Sequence, residues 1–207
     1  SKGVIYKGRP INKPHLERVA IETEARTIAD ALVGADVMIG VSAANCIKPE
    51  WVLKMADNPA IFAMANPDPE IRPELVAEAF GDKPYVMATG RSDYPNQINN
   101  VLCFPFLFRG ALDVKARKIT MGMKLAAAKA LAEAAHRPVD EATKVLYPNE
   151  DLTFGRNYII PKPFDKEIMI DVSSAVAQKA VEEGVARVES FDIEAYKQQL
   201  RDRQKNM

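Results

Sequence analysis

Few residues suited to metal or redox chemistry occur in this 207-residue chain, which has two cysteines, two histidines and one tryptophan. Cys46 and Cys103 stand far apart in apolar surroundings, without metal-knuckle or redox-pair spacing, so they read as reduced, buried thiols. His15 and His136 fall in helix-like segments with charged neighbours and no nearby ligand set, and read as solvated surface residues. No Gly-x-Gly-x-x-Gly follows a strand, and there is no P-loop, no His-Glu-x-x-His and no Cys/His cluster. No lysine or tyrosine sits in an apolar loop as an evident proton carrier. Neither a catalytic residue nor a metal ligand is assigned in the chain.

Other absences narrow the class further. Lys+Arg and Asp+Glu balance at 28 each, and basic residues do not cluster among aromatics, which argues against a nucleic-acid partner. No apolar run approaches the ~18 residues of a membrane span. The start, "SKGVIYKGRP", has no apolar segment of the signal-peptide kind. A cytoplasmic protein is expected. Because the chain begins without Met and already reads as strand or turn, it is expected to be cut from something longer.

What is present suffices for a core: 47% of residues are hydrophobic. Three compact apolar runs, 35–41, 60–65 and 85–89, read as strands buried on both faces. Between them lie "PEWVLKMA" and "RPELVAEAF", helices opened by Pro49 and Pro73, where a missing N–H costs little. Upstream, 13–33 reads as helix, with Thr23 capping its second part. The alternation is βαβ logic and predicts a parallel sheet. Downstream the pattern is helical: 99–114, interrupted by Pro105; 123–136; an irregular, proline-marked 138–165; 166–186; and a charged terminal helix, 192–207, with few anchors. The fold class expected is α/β, an incomplete Rossmann-like parallel sheet flanked by helices, with a helical C-terminal extension. Its divisions are a nucleotide-binding part over 1–120, a helical extension over 121–190 and a linker or terminal helix over 191–207.

Each strand runs into a loop of small and amide residues: "SAAN" (42–45), "NPDPE" (66–70) and "GRSDYPNQINN" (90–100). In a parallel sheet these loops share one end, and ligands of open α/β sheets bind there, where strand order reverses. Ser42, Asn45, Asn66, Thr89, Gly90, Asn96, Asn99 and Asn100 are therefore expected on one rim. A carboxamide both donates and accepts without carrying charge, so it can hold a carboxylate, hydroxyl or amide in a set pose. Read singly, "NPDPE" is an ordinary turn, and Arg91 is expected to pair with Asp93.

Taken together, "GADVMIGVSAANCIKPEWVLKMADNPAIFAMANPDPEIRPE" and "VMATGRSDYPNQINNVLCFPFLFRGALDVKA" resemble the cofactor-binding domain of malic enzymes, the bacterial NADP-using branch above all. "DLTFGRNYIIPKPFD" is similar to the large bacterial form that carries a phosphotransacetylase-like domain. The resemblance covers about residues 1–190. It implies oxidative decarboxylation of (S)-malate to pyruvate and CO₂ with NADP, or NAD, and Mg²⁺ or Mn²⁺. It implies that Asn66 and Asn100 hold malate, that Asn66 also touches the cofactor, and that Ser42, Thr89 and Gly90 line the dinucleotide. The family's catalytic Tyr and Lys, its acidic metal ligands and its glycine-rich phosphate loop have no counterpart in this chain. The chain alone is thus expected to be inactive, and to self-associate through an exposed sheet edge. The intact protein is expected to be a homo-oligomer. Two other readings stand beside it: a non-catalytic module docking through the apolar helix 101–114 and the 138–165 segment, and a dinucleotide enzyme acting on amino acids.

Overall fold

The structure, a computed structural model, describes residues 3–11 and 13–205. The ends of the segments expected over 1–120 and 191–207 therefore lie in part outside the described residues. The chain forms two compact units, one reaching Tyr94 and the other beginning at Pro95.

The first unit holds α1 (Pro14–Glu17), α2 (Ile28–Ala31), β1 (Val37–Gly40), α3 (Pro49–Val52), β2 (Ala60–Ala63), α4 (Pro73–Phe80) and β3 (Val86–Thr89). The strands are parallel and lie in the order β1-β2-β3. All three sit inside the apolar runs that predict them. Their order is sequential and does not reverse, so the strand-reversal crevice of open α/β sheets is not formed among them. What the loops share is the carboxyl end itself: Gly40 stands beside Ala63, and Ala63 beside Thr89.

In β1 and β2 burial follows a period of two on one face only, whereas β3 ends on two buried residues, Ala88 and Thr89. Met38, Ile61 and Ala63 join Leu32, Val52, Ile71, Val76 and Phe80 in a core beneath the sheet. Burying each branched side chain there is worth about 1.5–3 kcal/mol. On the other face Val37 is 51% and Ile39 65% exposed, which corrects the expectation of a strand buried on both sides. β1 is an edge strand of the described sheet, and that face of it is largely exposed.

The segment 13–33 is also not one helix. It forms two single turns, α1 and α2, and the stretch between them carries β-branched Ile21 and Thr23 at alternate positions. Ile21 pairs there with Tyr6 in a parallel bridge. The cap is Thr27 rather than Thr23: Thr27 Oγ1 accepts from the Asp30 N–H at 3.2 Å, and Asp30 Oδ2 accepts from the Thr27 N–H at 2.9 Å. Thr23 instead accepts from the Ala25 N–H in a local turn.

The second unit is helical. A 3₁₀ turn, Asn100–Leu102, precedes α5 (Phe104–Asp113), α6 (Met121–Ala135), α7 (Glu141–Leu146), α8 (Glu167–Glu182) and α9 (Ile193–Lys205). α8 is central and packs against α5, α6 and α9. Leu102, Leu107, Met123, Ile168, Val172, Val176 and Leu200 are buried in its core. Pro105 lies in the first turn of α5 and starts that helix rather than interrupting it. The stretch expected to be irregular contains α7, capped by Asp140, whose carboxylate accepts from the Thr143 N–H at 2.7 Å. α9 is better anchored than its charge pattern suggests: Tyr196 and Leu200 are buried, and Asp113 accepts from Tyr196 Oη at 2.9 Å.

Candidate functional site

In the first unit three loops leave the carboxyl end of the sheet from adjacent registers. The loop after β1 carries Ser42 and Asn45. Asn45 adopts a left-handed conformation, φ 54°, which asparagine tolerates better than most residues. Its N–H donates to the Pro69 carbonyl at 3.0 Å, and the Ile47 N–H donates to the Glu70 carbonyl at 3.0 Å. The first loop is thus laced to the second through the main chain.

Side chains tighten that lacing. The Glu70 carboxylate accepts from the Ser42 N–H at 2.6 Å, from Ser42 Oγ at 3.3 Å and from the Ala65 N–H at 3.0 Å. The Ser42 N–H is therefore engaged by the protein, and its hydroxyl, which also lies 3.5 Å from Cys46 Sγ, is held by the same carboxylate while the residue remains exposed. Asn66, one residue beyond Ala65, is exposed at the end of the central strand. Its carboxamide makes no hydrogen bond among the described residues.

The loop after β3 turns on Thr89, which is fully buried and accepts from the Arg91 N–H through Oγ1 at 3.2 Å. Gly90 follows, half-buried. The Arg91 guanidinium grips Asp93 with two N–H groups, at 2.8 and 2.7 Å, and reaches Asp68 in the neighbouring loop at 3.1 Å. The expected Arg91–Asp93 pair is present, and Asp68 extends it. Arg91 holds the Asp93 carboxyl below its ordinary pKa, and Asp93 in turn raises that of Arg91. Tyr94 Oη donates to Glu74 at 2.6 Å; this lowers the Glu74 pKa and raises that of Tyr94.

In the second unit the remaining amides divide by role. Asn96 is 2% exposed, and its carboxamide is engaged by the main chain of residues 156–159. Asn99 caps the 3₁₀ turn, its Oδ1 accepting from the Val101 N–H at 3.0 Å. Asn100 opens that turn, and its side chain is exposed. Among the rim candidates, Ser42, Asn45, Asn66, Thr89 and Gly90 share one sheet end, whereas Asn96 and Asn99 serve local structure in the helical unit.

Glu70 was not singled out from sequence. Its only signal is position, an acid directly before the buried Ile71. Among the described residues no group of three or more His, Cys, Asp or Glu side chains gathers in a way that could hold a metal ion. What this end of the sheet offers is a free carboxamide, a hydroxyl and backbone groups on a rigid frame. Those are groups that orient a polar, amide-bearing ligand.

A parallel sheet with helices packed on it and a polar rim at the strands' carboxyl ends defines a Rossmann-like dinucleotide-binding domain. Residues 12–153 match the family described as "Malic enzyme, NAD binding domain". The chain belongs to the malic enzyme family. It is 53% identical over 186 residues to an NADP-dependent malic enzyme of Halomonas elongata, covering 90% of this chain and 44% of that protein. Rhizobium meliloti has an NADP-dependent malic enzyme 51% identical and an NAD-dependent one 45% identical, each matched over 26% of its own length. The chain thus spans between a quarter and a half of the relatives it matches. The crystal structure of Entamoeba histolytica malic enzyme superposes with a TM-score of 0.81 at 35% identity, over 100% of this chain and 41% of that one.

Proposed function

We propose that this chain is the cofactor-binding part of an enzyme that oxidises (S)-malate to pyruvate and CO₂, with NADP as the preferred cofactor and NAD as the alternative. The observation that carries the reading is the free, exposed carboxamide of Asn66 at the end of β2, in a domain of the malic enzyme family. Bound NADP supplies the hydride acceptor. Asn66 orients the nicotinamide amide and the malate beside it, and Ser42 and Gly90 line the dinucleotide. Thr89, fully buried, supports that rim from within by holding the turn at Arg91, and Asn100 is assigned to malate by the family resemblance alone. Such fixed, uncharged donors lower the barrier by positioning rather than by proton transfer. Proton transfer and the Mg²⁺ or Mn²⁺ site belong to parts of the intact protein outside this sequence, so the 207 residues do not turn over malate by themselves. The intact enzyme is a homo-oligomer.

NADP titration tests the reading: weak, saturable binding is expected, perturbing the amides around Ser42 and Asn66, and Asn66→Ala should weaken it. Absence of saturable binding to either nucleotide would defeat it. A second reading, docking of α5 on a partner, draws on the exposed stripe Val101, Phe104, Phe108 and Leu112. It predicts no nucleotide response at all.

A further inference from the structure

Glu70 closes the run Asn66-Pro67-Asp68-Pro69-Glu70 and is 1% exposed. A carboxylate so buried is unfavourable unless its lone pairs are filled. Here they are filled without an ion pair: among the described residues no cation pairs with Glu70. Oε1 accepts from the Ser42 N–H and hydroxyl, at 2.6 and 3.3 Å, and Oε2 from the Ala65 N–H at 3.0 Å. One carboxyl group therefore holds both the loop that follows β1 and the residue ahead of Asn66.

Its seat is made by an absent side chain. A Cβ on Gly40, the last residue of β1, would stand 2.5 Å from Glu70 Cδ and 2.7 and 2.8 Å from the two oxygens. Gly40 and Glu70 are thus complementary. The strand end lacks a side chain where the acid lies, and the acid meets the N–H groups that the ends of β1 and β2 direct at it.

We propose that Glu70 is a positioning residue of the cofactor rim, whose two oxygens set the spacing at which Ser42 and Asn66 are presented to a dinucleotide. The proposal rests on the cofactor reading above. Its chemistry is specific to the acid. A carboxylate accepts through both oxygens, and both face N–H donors. Glu70→Gln turns an NH₂ toward one of those donors and leaves it without an acceptor. Gly40→Ala keeps the acid and displaces it.

The test uses the whole 207-residue chain, ¹⁵N-labelled, with NADP as the probe. In the wild type, the Ser42 and Ala65 amides should exchange slowly even though Ser42 lies in an exposed loop. In Glu70→Gln at least one should exchange fast, and the NADP Kd should rise about tenfold, the scale of one unsatisfied buried donor. The rest of the spectrum should stay that of a folded protein. Gly40→Ala should reproduce both changes, and the double variant should add little to either single one, since both act on one contact. If Glu70→Gln does not fold, Gly40→Ala carries the same comparison. Protection at both amides retained in Glu70→Gln overturns the proposal, as does lost protection with unchanged NADP affinity. A wild-type chain that binds no NADP but loses protection in Glu70→Gln would defeat the cofactor reading and leave Glu70 a loop clamp without a role in binding.

Discussion

The carboxamide of Asn96 donates to the Arg156 carbonyl at 2.6 Å and accepts from the Ile159 N–H at 2.8 Å, tying together positions 60 and 63 residues apart. Both contacts are to main chain, so one buried side chain pins the loop ahead of α5 to the "GRNYII" stretch of the same unit. Asn96 also has a φ of 56°, in the left-handed region. Asn96→Ala should destabilise the unit by about 2 kcal/mol, because it leaves two main-chain groups without partners. Asn96→Gly should be milder, since glycine accepts the backbone conformation. Asn96→Asp should be no better than alanine, because its second oxygen faces a carbonyl. Urea unfolding of the three variants checks the order.

Gly110 marks a close approach of α5 to α8. A Cβ there would clash with the Ser173 main-chain oxygen and lie 3.0 Å from Val176 Cβ. The neighbouring turn is held by Ser173 Oγ, which donates to the Phe106 carbonyl at 3.1 Å. Neither obstacle is the tip of a flexible side chain, so the helices must separate. Gly110→Ala should cost about 1–3 kcal/mol, the scale of an overpacked core, despite alanine's better helix propensity. A thermal midpoint equal to or above the wild type's would contradict this packing.

Two carboxyl groups, Asp165 in the second unit and Glu74 in the first, should respond to acid with opposite sign. Burial pushes the Asp165 carboxyl above its ordinary range, although Arg137 Nη2 at 3.0 Å and the Glu167 N–H oppose the shift. Asp171, which shares Arg137 at 3.3 Å, is also raised by burial, and Asp140 and Glu167 add negative charge around Asp165. A folded pKa above the unfolded one means a contribution fully present below the unfolded value and lost as pH rises through the folded value. Asp165 and Asp171 should therefore contribute more to α8 as pH falls from neutral toward the ordinary carboxylate range, whereas Glu182 in α8 itself, held low by Lys179 and Gln178, contributes less. Asp165→Asn should remove part of the stabilising response. In the first unit Glu74, lowered by its bond from Tyr94, contributes above its ordinary pKa and loses that contribution as pH falls through the folded value. Native-state hydrogen exchange, corrected for intrinsic rates, reads the units separately. An Asp165→Asn variant whose α8 follows pH just as the wild type does, or falls less on acidification, would mean that Arg137, not burial, governs Asp165.

Local pattern carried the strands and most helices. The runs 35–41, 60–65 and 85–89 each enclose a strand because a short apolar run between polar turns has few other ways to bury itself. Prolines at 49 and 73 each mark a helix start, since the first turn is where a fixed φ and a missing N–H cost least, whereas Pro105, expected to interrupt a helix, opens one. The family likewise could be read from the amide-bearing loops taken together. Less legible was whatever depends on neighbours distant in sequence. An apolar strand reads alike at an edge and in the middle of a sheet, so the exposure of Val37 and Ile39 could not be told from composition. The break of 13–33 into two turns turned on Ile21 finding Tyr6.

By itself, then, the sequence determined the parallel α/β class, the places of the three strands and the family to which they belong. The class and the strand positions follow from periodicity and turn chemistry within a few residues, and the family from the resemblance carried by the amide-bearing loops taken together. Tertiary structure alone decided which amides are free and which are spent. Asn66 is left open while Asn96 is consumed by residues 156–159, and the acid of "NPDPE" reaches back to Ser42. Side chains of one type look identical along the chain. Only the fold settles whether a donor stands within hydrogen-bond reach.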